Sequence, residues 1–387
     1  MQRKVHIPNK IIILGGNHHN GLGIIRSLGE VGCKVYFVAV GVTKSFASKS
    51  KYIENHWFIN HESDLLDLLL GKFGNNKIKP IIIPSDDATA VIIDKHINKL
   101  INNFIFPNIN DEENAILKQM SKNKMDELAK KHGFMVPKGC VLRLNELDKV
   151  RQHLGKFGIK HPCIVKPLQS VDGSKNDIKV SHDNDELIVI LNELKESYVN
   201  VYIQEFIKKE GEVGVQGIST NKGRKVIIPG MVNKIRDSTV SPGSTTYAKI
   251  TKSNENINFE KSIALIKSLI KDLKFEGIFD LELMYSKEHL YFIELNFRNG
   301  AYGYAYTKAG VNMPALWCLD AIGKEKVNES ITIQKEITLM SEIADFKNIL
   351  SKRVNCFRWV YQFLSSDVHL IFNKRDIKPL LYKFLYR

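Results

Sequence analysis

Residues 279–300 read Phe279-Asp-Leu-Glu-Leu-Met-Tyr-Ser-Lys-Glu-His-Leu-Tyr-Phe-Ile-Glu-Leu-Asn-Phe-Arg-Asn-Gly300 and indicate a β-hairpin. Apolar and polar residues alternate along the first part, which is the pattern of a half-buried strand. The polar run Ser286-Lys-Glu-His289 is typical of a turn, and Leu290-Tyr-Phe-Ile293 predicts the return strand. We interpret the remainder of the chain around this hairpin.

Polar side chains on the predicted hairpin suggest a metal site. Glu294, Asn296 and Arg298 occupy alternate positions of the return strand, so they share one face. If the strands pair around the predicted turn, Glu282 lies close to Glu294. Carboxylate and amide oxygens are ligands that Mg²⁺ prefers where it bridges nucleotide phosphates. A solvated face of an amphipathic hairpin explains the same pattern, so both interpretations stay open at this point.

Composition indicates a globular protein of the cytoplasm. The chain has 387 residues, of which 43% are hydrophobic and 25% are charged, enough for two or three domains with a sizeable core. No apolar run approaches the roughly 20 residues that a bilayer span requires. The five cysteines are scattered and never form a C-x-x-C pair, which favours a reducing compartment and argues against a zinc site.

The formal net charge of +14 suits nucleic acid, an anionic membrane surface or acidic small substrates. No basic run interleaved with aromatic residues stands out before residue 350, so we expect no nucleic-acid partner. The tail beyond residue 350 is both aromatic and basic. A peripheral membrane contact through this extension and a helix pair packed on the body both explain it.

The start of the chain predicts an open parallel α/β domain. Residues 10–40 read strand, glycine loop, helix and strand. The loop Gly21-Leu-Gly-Ile-Ile-Arg26 lacks the third glycine of a dinucleotide fingerprint, and no acidic residue ends the second strand, which argues against NAD. Pro84-Ser-Asp-Asp87 follows another predicted strand, where such sheets bind ligands. Asp86 and Asp87 also suit helix N-caps.

A lysine and a small-residue loop form the next candidate site. Residues 111–120 predict a helix, and after Ser121-Lys-Asn-Lys-Met125 a second helix runs to Lys131, so Lys122 lies before that helix. The apolar strand His161-Pro-Cys-Ile-Val-Lys-Pro167 then carries Lys166 and leads into the polar loop 168–175. A lysine beside such a loop suits an anionic phosphate tail, and a lysine that extends its ammonium from a strand end into solvent is the alternative.

Further polar positions recur between this loop and the hairpin. Residues 201–207 predict a strand ending in Gln-Glu-Phe-Ile, and Glu212 lies beyond a turn. Lys234 and Arg236 alternate on a later strand, which predicts that they share a face. Residues 237–246 form a polar loop typical of a flexible lid.

In this order the motifs resemble the ATP-grasp superfamily, roughly over residues 5–325. Within it the chain looks most like carboxylate–amine ligases that include D-aspartate ligase and enzymes acting on surface polysaccharides. The segment Phe372-Asn-Lys-Arg-Asp-Ile-Lys-Pro379 is similar to the short Asp-x-x-Pro segment near the end of those proteins.

The resemblance implies an α/β fold, with α+β character in the ATP-binding part. An N-terminal open parallel α/β domain precedes a two-subdomain ATP-grasp fold. The implied boundaries are 1–117 for the N-terminal domain, 118–203 for the small central subdomain, 204–330 for the C-terminal subdomain with the metal site, and 331–387 for a helical, basic extension.

The resemblance also assigns three groups of site residues. The nucleotide group is Lys122 (with Lys124 as an alternative), Lys166, Ser170, Gly173, Ser174, Gln204, Glu205, Phe206, Ile207 and Glu212. The metal group is Glu282, Glu294 and Asn296, with Asp280 as the alternative to Glu282. The cations near the γ-phosphate and the acyl phosphate are Lys234, Arg236 and Arg298. The phosphate loop is poorer in glycine than is usual in the family.

The implied function is an ATP-dependent, ADP-forming carboxylate–amine ligase, with Mg²⁺ or Mn²⁺ and an acyl-phosphate intermediate. Its substrates would be a small-molecule carboxylate and an amine, with an amino acid joined to a cell-envelope or surface-polysaccharide precursor. A D-aspartate ligase or a dipeptide ligase is the alternative, and a homodimer stays open. A non-catalytic nucleotide-binding or nucleic-acid-binding protein is the alternative from another class, motivated by the charge of +14.

Overall fold

The computed structural model describes residues 4–169, 177–239, 243–255, 257–287 and 289–385. The strands are β1 (Ile11–Gly15), β2 (Val35–Val40), β3 (Ile53–Ile59), β4 (Ile81–Pro84), β5 (Asn108–Ile109), β6 (Gly139–Arg143), β7 (Cys163–Pro167), β8 (Lys179–Ser181), β9 (Asn200–Glu205), β10 (Gly211–Thr220), β11 (Lys225–Ile227), β12 (Met231–Asp237), β13 (Thr245–Thr251), β14 (Phe275–Ser286), β15 (His289–Asn296), β16 (Ile337–Met340) and β17 (Val368–His369). The α-helices are α1 (His19–Glu30), α2 (Glu62–Leu68), α3 (Asp87–Lys95), α4 (Ile97–Leu100), α5 (Ala115–Gln119), α6 (Lys122–Lys131), α7 (Val150–Phe157), α8 (Asn184–Leu194), α9 (Phe259–Leu273), α10 (Gly303–Lys308), α11 (Met313–Ala321), α12 (Glu342–Leu350), α13 (Cys356–Ser365) and α14 (Lys378–Leu385). Short 3₁₀ or π segments occupy Phe46–Lys49, Leu69–Phe73 and Leu147–Lys149.

The N-terminal sheet is parallel, with strand order β3-β2-β1-β4. All five residues of β1 are buried. Helices and loops cover both faces of a parallel sheet, so the strands of such a sheet favour a continuous run of β-branched residues. The predicted open parallel α/β domain is therefore confirmed. Asp86 caps α3, since its carboxylate accepts the backbone N–H of Thr89 at 2.9 Å, as predicted for one of the two aspartates.

The second sheet is antiparallel, with order β6-β9-β7-β8. Its core joins strand residues such as Leu142 and Val165 to Leu187 and Leu191 of α8. Because β7 and β9 are neighbours, they bring Lys166 and Gln204 close together.

The third sheet is the largest, with order β15-β14-β10-β12-β13-β16-β17, while β11 pairs with β10 and β5 with β14. The sequence 331–387 adds β16 and β17 to its edge and also carries α12, α13 and α14. The α/β fold is confirmed, whereas the four domain boundaries stay predictions.

The C-terminal tail is fastened to the N-terminal sheet domain by a buried ion pair. Arg26 Nε lies 3.0 Å from Asp376 Oδ2, and both side chains are fully buried. Asp376 also accepts hydrogen bonds from Ser50 Oγ at 2.8 Å and from the backbone N–H of Lys51 at 2.9 Å. The Asp-x-x-Pro segment therefore anchors the tail.

No described helix is long and apolar enough to cross a bilayer.

One helix is shorter than its sequence pattern predicted. The predicted helix 111–120 starts only at Ala115, because Asn110, Asp111 and Asn114 have φ between 54° and 62°. Asn and Asp adopt this left-handed conformation more readily than other non-glycine residues, and a helix cannot pass through it. The following helix, α6, ends at Lys131 as predicted but already begins at Lys122, so this lysine lies in its first turn and not before it.

Candidate functional site

The hairpin of β14 and β15 forms as predicted and places its acidic residues side by side. Ser286 pairs with His289 across the turn, which confirms the predicted position of the turn. Glu282 lies directly opposite Glu294, and Asp280 lies directly opposite Asn296. Residues opposed in an antiparallel pair point to the same face, so all four polar side chains share one face.

A cation would satisfy this face better than the protein does alone. Asp280 is only 3% exposed, and its buried Oδ1 has no hydrogen-bond partner. Burial raises the pKa of Asp280 to about 7; Arg298 opposes that shift, and Glu282 contributes to it. Asn296 donates a hydrogen bond to Glu294 Oε1 at 3.2 Å. An orphaned carboxylate oxygen beside two further carboxylates and an amide suits a hard cation.

The protein supplies only part of such a coordination shell. Among the described residues, no three carboxylate, imidazole or thiol side chains are arranged to hold a metal ion by themselves. Mg²⁺ is commonly bound through one or two carboxylates together with oxygens of a phosphate ligand, so the donor set on this face fits that metal only in company with such a ligand.

Lys234 closes one side of the acidic face. Its Nζ lies 2.5 Å from Glu282 Oε2 and 3.1 Å from Glu212 Oε2, and its side chain is almost fully buried. Burial opposes the ammonium, yet Glu282 and Glu212 raise the pKa of Lys234 well above its ordinary value. Lys209 contacts the other oxygen of Glu212 at 2.6 Å. Two lysines thus hold the Glu212 carboxylate.

Arg298 joins the hairpin to the N-terminal domain. Its Nε and Nη2 donate hydrogen bonds to the two carboxylate oxygens of Asp87 at 3.1 and 3.3 Å, and its Nη1 lies 3.4 Å from Asp280 Oδ2. Burial alone would lower the pKa of the Arg298 guanidinium, but Asp87 and Asp280 raise it. The turn predicted to bind a ligand therefore reaches the hairpin through Asp87.

A second group of polar residues lies on the antiparallel sheet and α6. Lys166 Nζ donates a hydrogen bond to Gln204 Oε1 at 2.9 Å, and Gln204 Nε2 donates to Asp126 Oδ2 at 2.8 Å. Burial and, to a smaller extent, Lys122 lower the pKa of Lys166 to about 8, although Asp126 and Glu294 oppose this shift. The backbone N–H of Lys122 donates to Leu168 O at 3.0 Å, so the start of α6 lies beside the end of β7.

The segment Gln204–Ile207 links the antiparallel sheet to the large sheet. Glu205 ends β9, and its backbone N–H donates to Lys138 O at 2.8 Å. The backbone N–H of Phe206 donates to Pro162 O at 3.2 Å, and its ring is exposed. Ile207 is half-buried. These backbone hydrogen bonds hold the segment against the antiparallel sheet.

Arg236 does not join the acidic face. Its guanidinium makes a bidentate pair with Asp345, with Nε–Oδ1 at 2.8 Å and Nη2–Oδ2 at 2.6 Å. Its Nη2 also donates to Gln362 Oε1 at 2.9 Å. These partners lie on α12 and α13, so Arg236 connects β12 to the C-terminal helices.

The predicted shared face of Lys234 and Arg236 is wrong, because β12 has a β-bulge between them. Lys234 pairs with Ala248, whereas Arg236 pairs with Tyr247, so Ile235 is an extra residue with no opposing partner. Ala248 and Tyr247 are consecutive on β13 and point to opposite faces. The bulge therefore turns the two cations away from each other.

Three predicted phosphate-loop residues, Ser170, Gly173 and Ser174, lie outside the described residues, as do residues 240–242 of the predicted lid. Sequence reasoning missed Asp126 and Asp345. Asp126 follows Lys122 by four positions, so it lies on the same face of α6, and this spacing could have revealed it. Asp345 carries no such signal, because it meets Arg236 across 109 residues of sequence.

Comparison with known proteins agrees with this geometry. A sequence model described as the ATP-grasp domain matches residues 127–313. N5-carboxyaminoimidazole ribonucleotide synthase of Aquifex aeolicus is 25% identical over 174 residues, which cover 45% of this chain and 43% of that protein. The carbamoyl phosphate synthase large chain of Pseudothermotoga lettingae is 28% identical over 180 residues, or 46% of this chain and 16% of that protein. The chain thus spans less than half the length of these curated relatives.

Solved structures share the fold at low sequence identity. An L-amino acid ligase from Bacillus licheniformis has a TM-score of 0.65 at 16% identity and covers 86% of this chain and 80% of its own. An ADP complex of N5-carboxyaminoimidazole ribonucleotide synthetase has a TM-score of 0.68 at 15% identity, with coverage of 91% and 87%. A Hydrogenobacter thermophilus biotin carboxylase domain with MgADP has a TM-score of 0.65 at 16% identity, with coverage of 86% and 74%.

Proposed function

Since residues 127–313 of this chain are an ATP-grasp domain, we propose that the protein is an ATP-dependent, ADP-forming carboxylate–amine ligase. The observation that carries the proposal is the single acidic face of Glu282, Glu294 and Asn296, bordered by Lys234 and Arg298. Fold neighbours that contain ADP or act as an amino acid ligase support it.

The proposed nucleotide site lies between the two sheets of the ATP-grasp domain. Lys166 and Lys122 would contact the phosphates, because the two ammonium groups are close enough for Lys122 to lower the pKa of Lys166, and such a pair suits a polyanion. Residues 204–207 would meet the adenine, and Glu212 would hold the ribose. Ser170, Gly173 and Ser174 belong to the same proposed site by their order in the chain.

The proposed metal site is the acidic face of the hairpin. Mg²⁺ held by Glu282, Glu294 and Asn296 would neutralise charge on the transferring phosphoryl group. The resemblance favours Glu282, and Asp280 stays the alternative: Glu282 pairs with Lys234 at 2.5 Å, whereas Asp280 lies 3.4 Å from Arg298 and keeps one carboxylate oxygen without a partner. The role of Arg236 as a cation near the γ-phosphate stays a prediction, since the guanidinium is held by Asp345.

The chemistry follows from charge. An oxygen of the substrate carboxylate attacks the γ-phosphorus of ATP, the bond to the β-phosphate oxygen breaks, and acyl phosphate and ADP result. An amine then attacks the carbonyl carbon, loses a proton and displaces phosphate, which leaves an amide. Two anions approach each other in the first step, so Lys166, Lys234 and Arg298 act by holding them in place against repulsion.

The substrates are proposed more finely as an amino acid and a cell-envelope or surface-polysaccharide precursor. A D-aspartate or dipeptide ligase is the alternative, and the L-amino acid ligase among the fold neighbours favours amino acids as a class. Arg298 and Asp87 lie where the N-terminal domain meets the hairpin, so we place the carboxylate substrate there. We expect the protein in the cytoplasm, where ATP is available and all five cysteines stay reduced.

A panel of amino acids and uronic acids with MgATP tests the proposal. ADP and phosphate should form only when both a suitable acid and a suitable amine are present, and AMP formation would contradict the phosphoryl mechanism. Glu294→Gln should abolish turnover, because it removes a charge from the metal site. Glu54→Gln on the exposed edge of β3 makes the same chemical change far from the hairpin and should keep full activity.

A further inference from the structure

Helix α12 buries several polar side chains and exposes two large apolar ones. Asp345 and Asn348 are fully buried, and they bind Arg236 and the backbone at Asp237. Phe346 and Leu350, on the opposite side, are exposed, with Leu350 at 73%. A helix packed on a protein body normally buries its apolar stripe. Buried polar contacts of Asp345 and Asn348 hold this helix together with the partly buried Ile343, while Phe346 and Leu350 face solvent.

Helix α13 repeats this arrangement. Phe357, Val360, Tyr361 and Leu364 are spaced i, i+3, i+4 and i+7, so they form one stripe along the helix. All four are exposed, with Phe357 at 86% and Leu364 at 76%. The single buried residue of α13 is Gln362, which accepts a hydrogen bond from Arg236. Two consecutive helices therefore present apolar side chains to solvent.

The charged residues between Phe346 and Ser366 have one sign, whereas Glu342 and Asp345 of α12 are buried and the exposed Asp367 follows α13. Residues 346–366 contain four cations and no acidic residue. The cations are Lys347, Lys352, Arg353 and Arg358, and all four are exposed. Exposed apolar side chains flanked by Lys and Arg are the composition of helices that lie in the interface of an anionic membrane.

We propose that the α12–α13 face, formed by Phe346, Leu350, Phe357, Val360, Tyr361 and Leu364, binds the surface of an anionic lipid bilayer. The apolar side chains would enter the boundary between headgroups and acyl chains, while the four cations contact the headgroups. The attachment does not depend on catalysis. It fastens to the membrane the same helices that hold Arg236 and the end of β12.

A second copy of the chain is a poorer occupant of this face. In a two-fold symmetric dimer the same patch meets itself, so eight cations would approach one another with no acidic residue from residues 346–366 to offset them. An anionic bilayer satisfies both the apolar stripe and the charge. The dimer is accordingly the outcome that would overturn the proposal.

Vesicle flotation of the full chain tests the membrane contact. The wild type should float with vesicles of phosphatidylcholine and phosphatidylglycerol and stay unbound with phosphatidylcholine alone. Phe357→Ser/Tyr361→Ser/Leu364→Ser should weaken binding about tenfold or more, because it removes most of the apolar stripe. Val189→Ser/Val199→Ser removes two apolar residues that are exposed elsewhere, at 58% and 75%, and should bind as the wild type does. Thermal unfolding would show that both variants are folded.

A second variant separates the apolar contact from general charge attraction. Lys352→Gln/Arg353→Gln/Arg358→Gln should weaken binding and reduce its salt dependence. The proposal is overturned if the wild type fails to float, or if the serine triple variant floats as the wild type does. It is also overturned if light scattering shows a dimer that this triple variant dissociates, which would assign the face to a second copy.

Discussion

Lys166 is a residue whose charge depends strongly on its surroundings. Burial and the neighbouring Lys122 lower its pKa to about 8, whereas a free lysine titrates above 10. A phosphate ligand would favour the ammonium and raise that pKa again. As the pH rises through about 8, the unliganded protein loses this proton and with it the attraction for the ligand.

We therefore expect the affinity for ATP to fall about tenfold between pH 7 and pH 9, as follows from a single group with a pKa near 8. Isothermal titration calorimetry with a non-hydrolysable analogue measures it. Lys166→Arg keeps its charge throughout and should remove this part of the pH dependence. Identical pH profiles for the two proteins would contradict the assignment.

The contacts of Arg298 require the forked shape of its guanidinium as well as its positive charge. Its guanidinium reaches both oxygens of Asp87 and also Asp280, which one ammonium cannot do. We expect Arg298→Lys to lower kcat for ADP formation about 10²-fold, with a small change in the KM for ATP. Steady-state kinetics measures both constants. Arg224→Lys, at an exposed position, is the control, and equal kcat loss in the two variants would refute a specific role.

Among the secondary-structure elements, the stability of the β14–β15 hairpin depends on close packing of Gly300 against Asp280. A Cβ at Gly300 would lie only 2.5–2.8 Å from the carboxylate of Asp280, so Gly300→Ala must displace that side chain. We expect a loss of about 1–3 kcal/mol in the free energy of unfolding, measured with urea. Gly155→Ala in α7 meets no atom within 4 Å and should be neutral or stabilising. A neutral Gly300→Ala would show that Asp280 has room to move.

The same elements show what the sequence could and could not predict. Alternation and a polar turn were enough to predict the hairpin and the opposition of Glu282 and Glu294, because strand periodicity is local. The bulge at Ile235 was not predictable, since no residue type requires it, and it reversed the direction of Arg236. The contact of Arg236 with Asp345 was equally hidden, because it joins elements far apart in the chain.

At the scale of the whole molecule, the tail reaches back across the chain to the N-terminal sheet domain. Arg26 and Asp376 form a fully buried pair, and removal of one partner leaves an uncompensated charge. We expect Asp376→Ala to lower the free energy of unfolding by about 3–5 kcal/mol in urea denaturation. Glu54→Ala removes the exposed pair with Lys34 and should cost less than about 1 kcal/mol. Similar losses would mean that the buried pair adds no stability.

The parallel N-terminal sheet could be predicted from its runs of β-branched residues and its glycine loop. The tail could not. The paired residues of β16 and the two-residue strand β17 lie 29 positions apart, and α12 buries acids while Phe346 and Leu350 on its other side are exposed. Long-range pairing of short strands and polar burial leave no periodic signal in sequence, so only the resemblance of the Asp-x-x-Pro segment indicated that the tail belongs to the fold.

The proposed ligase activity requires that the hairpin of β14 and β15 forms the metal-binding side of a nucleotide site. The most direct test is a calorimetric titration of the wild type and Glu294→Gln with a non-hydrolysable ATP analogue, with and without Mg²⁺. We predict that Mg²⁺ strengthens binding to the wild type at least about tenfold and has little effect on the variant, which still binds the metal-free nucleotide. Equal Mg²⁺ dependence in the two proteins would contradict the account.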